Sequence, residues 1–529
     1  MAISLPRRFR RPIRLLGEMW LVRSSRLFFR DWYLAQNPDV EQARVNPFIH
    51  FLRHGGFEGR DPNPYFDSDW YLQQNPDIAQ SDLNPLVHYL RYGARAGRDP
   101  SPEFHTTRYL AQHPEIAHQR INPLAHYLQS VGIHDDHQTN ALLAQHTVAE
   151  VLHKRFPHLR PLRVFTVPAL EPRVTMVTDS INTGSLFGGV ATAIILATLL
   201  AKRLGAGLRV ITRQAKADAA NFRKVIELNG IPWDRNVQFV FADERDDSAQ
   251  VDIGAEEIFL TTSWWTTWSV QASIPPENII YLLQEDERMF YPFGDDYLRC
   301  AETLGGLNMR VVVNSKLMFD HLVCQGFENI RKNGLWFEPS FPKAHFYREP
   351  QRQEGKKNFL FYARPNNYRN LYYRGLEIID RAILRGIFPS EVWDLHFVGK
   401  DLPQVRFTNG SRPQIWQNLN WGDYAALLRR MDVGLCLMYT PHPSYPPLDL
   451  AACGAVAVTN SYGSKQSLEQ YSKNIIVRPP DVPSQLEALA AAVELAGDER
   501  RRSENYGNNS LLDDWNISFQ DVLARLVRS

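Results

Sequence analysis

A fixed period of 38 residues governs the first quarter of this chain. Tyr33-Leu34, Tyr71-Leu72 and Tyr109-Leu110 repeat at that spacing, as do Asn46-Pro47, Asn84-Pro85 and Asn122-Pro123, each followed by a histidine at 50, 88 or 126. Asn is a good helix N-cap and Pro is favoured at the first helical position, where its missing N–H costs nothing, so each Asn-Pro reads as a helix start. Leu86, Val87, Tyr89 and Leu90 then form one apolar stripe, and Gly93 ends the helix. One such unit cannot bury its stripe alone, so neighbours must stack into an all-α repeat domain over residues 31–135. The third copy lacks the Arg-Asp-Pro of Arg60 to Pro62 and Arg98 to Pro100, as a terminal repeat does. With one histidine per copy and no cysteine near it, the histidines read as structural rather than metal-binding. The expected role of the repeats is to bind a protein partner or chain, or to hold the rest of the molecule near the target it acts on.

The 529 residues leave room for further domains. Lys plus Arg (59) balances Asp plus Glu (58), which argues against nucleic acid as a partner. Cys300, Cys324, Cys436 and Cys453 are too far apart for a zinc knuckle or a redox pair, and read as reduced thiols of a cytoplasmic protein. The longest apolar run, 189–201, falls short of the ~20 residues of a membrane span. Residues 7–30 carry eight arginines and one acid, Glu18, interleaved with apolar side chains. That mixture suits either a helix lying on the anionic inner face of a membrane or a basic arm packed in part on the next domain.

Beyond a linker at 136–172 the pattern changes to strands alternating with helices. Arg173 to Asp179 reads as a strand, Gly184 to Gly189 as a glycine loop, and the run to Leu204 as a helix, a Rossmann-like opening. There is no Gly-x-Gly-x-x-Gly, and Val190 stands where a phosphate-binding Walker loop needs Lys, so a dehydrogenase or P-loop NTPase is disfavoured. After the strand Ile279 to Leu283 comes Gln284-Glu-Asp-Glu287, with carboxylates at the ligand side of an open α/β sheet. Glu287 and Asp179 are the candidate catalytic carboxylates, against the plainer reading of an acidic solvated loop. Gln284 and Trp265 are candidates for the acceptor site, although Trp264, Trp265 and Trp268 read first as core or interdomain packing and only second as rings that stack on a sugar.

A second α/β half opens near Lys356, with strands Asn358 to Ala363, Trp393 to Gly399 and Val433 to Met438. Arg364, Arg369 and Lys400 lie at or just beyond strand carboxyl ends, where a cation cluster would match a pyrophosphate. Ser444 to Thr459 joins a Pro-rich loop, a short helix, Gly454 and a buried strand. A helix start offers free N–H groups to phosphate, and Asp449, read into the first helical turn, could accept hydrogen bonds from sugar hydroxyls.

Residues 173–529 resemble the GT-B glycosyltransferases of the large retaining group, most closely bacterial rhamnosyltransferases of surface-polysaccharide assembly. Arg364-x4-Arg369 is similar to that group's Arg-x4-Lys pair. Asp449 falls on the second acid of its Glu-x7-Glu motif, and Pro441 replaces the first. The resemblance implies two Rossmann-like domains facing a cleft, an acceptor domain at 173–350 and a donor domain at 351–510, with a last helix at 511–529 crossing back. It implies transfer of a deoxysugar, with dTDP-rhamnose the expected donor substrate, to a growing glycan, free or lipid-linked, without a metal or other cofactor. Gly188 and Gly189 would approach the reaction centre, and Arg364, Arg369 and Lys400 would hold the diphosphate. Asp449 would hold the ribose or deoxyribose, and Ser444 and Tyr445 would line the loop. The loss of the first acid leaves open a non-catalytic carbohydrate-binding or scaffold protein on the same fold.

Overall fold

A computed structural model describes the chain except for residues 1–17, 20, 44, 80–82, 114–115, 117–120, 131–146, 169, 183–185, 247, 307, 351–354 and 529. Residues 7–17 and 20 of the basic arm, and Gly184, therefore lie outside the described residues. The chain forms two compact units, Met1–Arg155 and Phe156–Ser529.

The first unit is built from the repeats. Helices Arg30–Gln36 and Pro47–Arg53 belong to the first copy, Ser68–Gln74 and Pro85–His88 to the second, and Thr106–Gln112 and Pro123–Ser130 to the third. Asn46 caps its helix by accepting from the Phe48 and Ile49 amides at 3.1 and 3.2 Å, and Asn84 accepts from Leu86 and Val87. The recurring histidine is the partner of the recurring tyrosine: Tyr33 with His50 at 2.9 Å, Tyr71 with His88 at 2.8 Å, Tyr109 with His126 at 2.8 Å. The recurring glycine makes room for the same hydroxyl, since a Cβ at Gly55 or Gly93 would stand 2.0 or 2.1 Å from the Tyr33 or Tyr71 oxygen. Each copy is closed on itself by backbone, with the Phe29 amide donating to Pro62 and the Asp67 amide to Pro100, and the Asn84 side chain, donating to the Phe51 carbonyl at 3.0 Å, joins the second copy to the first. Val22, Leu27 and Phe29, from the described end of the basic arm, are buried in this same core.

The second unit holds two parallel sheets. In the N lobe, strands β2 (Arg173–Thr178), β3 (Gly207–Thr212), β4 (Val237–Phe241), β6 (Ile258–Thr261), β7 (Ile279–Leu283), β8 (Arg310–Asn314) and β9 (Gly334–Phe337) run in the order β4-β3-β2-β6-β7-β8-β9. Strands β1 (Val164–Thr166) and β5 (Val251–Ile253) form a separate parallel pair. In the C lobe, β10 (Lys357–Ala363), β11 (Trp393–Gly399), β12 (Gln414–Gln417), β13 (Val433–Leu435), β14 (Val456–Asn460) and β15 (Ile475–Arg478) run β12-β11-β10-β13-β14-β15. Parallel strands are covered on both faces, which is why β7 reads Ile-Ile-Tyr-Leu-Leu and is buried throughout. Phe156, Leu159 and Leu162, read from sequence as part of a linker, pack into the N-lobe core, because the second unit opens at Phe156. After the C lobe, helices Trp515–Ser518 and Gln520–Arg528 return Trp515, Phe519, Val522 and Leu526 to the N-lobe core, and the Trp515 indole donates to Asn229 at 2.8 Å. Two Rossmann-like lobes preceded by a helical region give the GT-B architecture.

Candidate functional site

The lobes meet along the carboxyl ends of their central strands, where the chain leaves each sheet for a loop or a helix start. Tyr445, the first residue of helix Tyr445–Ala452, carries its hydroxyl into the N lobe, 3.0 Å from Thr192 Oγ1 and 2.9 Å from Asn314 Nδ2. Thr192 in turn donates to the Gly188 carbonyl at 3.1 Å, and the Gln284 amide donates to the Gly189 carbonyl at 2.5 Å. Next to Gln284, Glu285 leaves the N lobe altogether: its carboxylate accepts from Arg369 Nη1 at 2.7 Å and from the Thr440 hydroxyl. Gly188, Gly189, Gln284, Tyr445 and Arg369 thus converge on one interlobe seam. Gly188 adopts φ 78°, a left-handed conformation that glycine takes without strain, and a Cβ there would face open space.

The cations share one sheet edge but not one environment. Ala363 and Gly399 are register partners at the ends of β10 and β11, so Arg364 and Lys400, the next residues, stand side by side. Both are exposed. Position 399 admits only glycine, because a Cβ would lie 1.7 Å from the Ala363 carbonyl oxygen. Arg369, in the loop after β10, is mostly buried by its ion pair and by the Phe290 ring 4.4 Å beneath the guanidinium.

The carboxylates are placed differently from the sequence reading. Glu287 turns into the N lobe, where Oε2 accepts from the Trp264 amide at 2.6 Å and the Tyr281 hydroxyl at 2.9 Å. Burial raises its pKa to about 8, so it is protonated at neutral pH and anchors the start of helix Trp264–Gln271. Glu285, not Glu287, reaches the seam. Asp179 and Trp265 are in contact, the indole donating to both carboxylate oxygens at 2.8 and 3.0 Å, and burial raises the Asp179 pKa. Asp449 is not in the first turn of its helix, which starts at Tyr445; it lies one turn further in, buried, with Tyr424 donating to it at 3.2 Å. Burial pushes its pKa to about 8.

Two seam residues escaped the sequence reading. Lys465 is fully buried after β14, donates to the Met438 carbonyl at 2.8 Å, and is pushed down to about 7 by burial against the pull of Glu285. His442 accepts the Ser444 amide on Nδ1 at 2.9 Å and is held neutral, with its pKa pushed to about 3 by burial and by Lys465 and Arg369. A lone histidine or lysine in a loop carries no motif, and only the fold brings them beside Glu285.

Beside the seam opens a crevice of about 330 Å³ shared by the lobes. Tyr291 and Tyr297 line it from the N lobe, and Tyr368, Tyr439, Tyr462 and Arg369 from the C lobe. Ring faces with a few charged groups between them suit sugar rings, which stack their C–H faces and hydrogen-bond their hydroxyls. Among the described residues no group of three or more His, Cys, Asp or Glu is placed to hold a metal ion, and no helix is long and apolar enough to cross a membrane.

Comparison with known proteins places the lobes in one family's frame. Residues 173–315 match the family model described as WsaF, N-terminal domain, and residues 357–491 match that of WsaF, C-terminal domain, the two in chain order. A curated relative, the O-antigen biosynthesis protein RfbC of Myxococcus xanthus, is 28% identical over 282 residues, covering 52% of this chain. The match spans about a fifth of that protein's length, 21%. Among solved structures, Anabaena HepE in complex with UDP is 14% identical with a TM-score of 0.47, covering 68% of this chain and all of that one. WaaG, a glycosyltransferase involved in lipopolysaccharide biosynthesis, is 12% identical with a TM-score of 0.48, covering 67% of this chain and all of that one.

Proposed function

We propose that this protein transfers a glycosyl group from a nucleoside-diphosphate sugar to a growing glycan in polysaccharide assembly. The observation that carries the reading is the interlobe seam, where Arg369, Lys465 and the start of helix Tyr445–Ala452 converge with Gly188 and Gly189 at the carboxyl ends of two parallel sheets. Cations stabilise a diphosphate as it departs, and closing the lobes excludes water, favouring transfer over hydrolysis. Arg364 and Lys400 sit on the same edge to meet the diphosphate, and Asp449 borders the nucleoside side. A deoxysugar donor, dTDP-rhamnose, follows from the sequence resemblance, and similarity to an O-antigen biosynthesis protein of Myxococcus xanthus supports polysaccharide assembly. The acceptor glycan lies in the aromatic crevice, with Tyr291 and Tyr297 on its N-lobe side; Asp179 and Trp265 pair with each other and are not among its lining residues. Glu287 positions Trp264 and Trp265 through the amide it holds, rather than touching substrate.

The test is thermal stabilisation of the purified chain by dTDP, UDP and GDP, followed by transfer from the matching nucleotide sugars. A diphosphate at one hundred times its Kd adds about 2.7 kcal/mol to stability, a readily measured rise in Tm. No rise with any of the three would sink the reading.

A further inference from the structure

The seam holds four buried polar atoms without a partner among the described residues: Gln284 Oε1 and Asn314 Oδ1 on the N lobe, and His442 Nε2 and Ser444 Oγ on the C lobe. Such atoms are uncommon in folded proteins, because each costs the desolvation of an unmade hydrogen bond. Their chemistry is divided between the lobes. Gln284 and Asn314 each use their amide nitrogen, on Gly189 and on Tyr445, which leaves carbonyl oxygens as acceptors. His442 takes the Ser444 amide on Nδ1, so the neutral ring carries its proton on Nε2 and presents a donor. Ser444, held at φ 70° and ψ 145° before the helix, makes no cap with its own hydroxyl and adds a second free donor.

The four atoms belong to one connected patch. Glu285 binds Thr440 and Arg369, Thr440 Oγ1 accepts the His442 amide at 3.3 Å, and Ser444 precedes Tyr445, whose hydroxyl meets Asn314. His442 and Ser444 are only 3% and 4% exposed, so their free atoms face the closed interior rather than solvent. The charged groups acting on the His442 ring are Lys465 and Arg369, both cations. Two lone donors beside two cations fit an oxygen acceptor that carries negative charge, whereas the N-lobe carbonyls fit hydroxyl groups.

We propose that His442 Nε2–H and Ser444 Oγ–H together bind the sugar-side phosphate of the donor diphosphate, with Gln284 Oε1 and Asn314 Oδ1 receiving hydroxyls of the attached sugar. The assignment rests on the glycosyl-transfer reading and extends it to residues outside the cation edge recognised from sequence. A neutral imidazole gives the phosphate a fixed donor without adding a charge that the apo seam would have to bury.

Calorimetric titration of dTDP and dTMP into the wild type and into His442→Phe, His442→Asn and His442→Gln tests it. Asparagine keeps an acceptor for the Ser444 amide and removes the distal donor, whereas glutamine restores an N–H at that reach. His442→Phe and His442→Asn are expected to weaken dTDP about tenfold and leave dTMP unchanged, with His442→Gln recovering much of the loss. Should dTDP bind the phenylalanine and asparagine variants as tightly as the wild type, or dTMP weaken in step with dTDP, the proposal is overturned. If the wild type binds UDP or GDP instead, that nucleotide and its monophosphate replace the thymidine pair. Failure of the wild type to bind any diphosphate removes the transfer reading itself, a result distinct from a wild type that binds but ignores His442.

Discussion

Asp449 shows how far burial can move a single side chain. A carboxyl whose pKa rises from 3.8 to about 8 on folding keeps a proton that the unfolded chain has already released. Between those two values the folded state binds more protons than the unfolded one, so this group's contribution to stability falls as pH rises through that window. Asp449→Asn keeps an oxygen for the Tyr424 hydroxyl and removes the titration. The variant should be more stable than the wild type at pH 8, by on the order of a few kcal/mol, with the difference vanishing near pH 4. Urea melts of both proteins across that range check it, and parallel pH profiles would refute it. From sequence, Asp449 was read into the first turn of a short helix; its depth was not legible, because it depends on Tyr424 packing over it from another helix. Glu285 and Glu287 are two residues apart in one acidic run, and nothing local tells which one leaves the lobe. Arg369 and Thr440 decide it, the latter 155 residues away in sequence.

Elements were more legible where a local rule fixes them. The Asn-Pro helix starts, the glycine stops and the apolar parallel strands follow from capping and burial, and the repeat period alone implied stacking. The reason for the repeated histidine was legible only as structural rather than metal-binding; its partner, a tyrosine 17 residues earlier, emerges from helix packing. His88→Ala would strand the buried Tyr71 hydroxyl and leave a cavity beside it, costing about 2–3 kcal/mol. The expected outcome is an earlier melting step for the repeat unit by circular dichroism, with no change on adding zinc. A zinc-dependent rise in the wild type would point instead to a metal role for these rings.

Across the whole molecule, the N lobe depends on residues that follow the C lobe in sequence. Trp515, Phe519, Val522 and Leu526 are buried against helix Ala191–Leu204 and its neighbours, each worth about 1.5–3 kcal/mol in buried apolar surface. A chain ending at Ser510 should therefore expose an apolar groove, melt earlier, and be cut by protease first within the N lobe. Limited proteolysis with mass mapping checks it, and an unaltered cleavage pattern would show that the return helix is dispensable. The same dependence sets an order of events on the ribosome. Synthesis delivers the N-lobe strands first, yet their core stays open until the final helices emerge, so the C lobe can mature while its elder neighbour still waits for its last buried side chains.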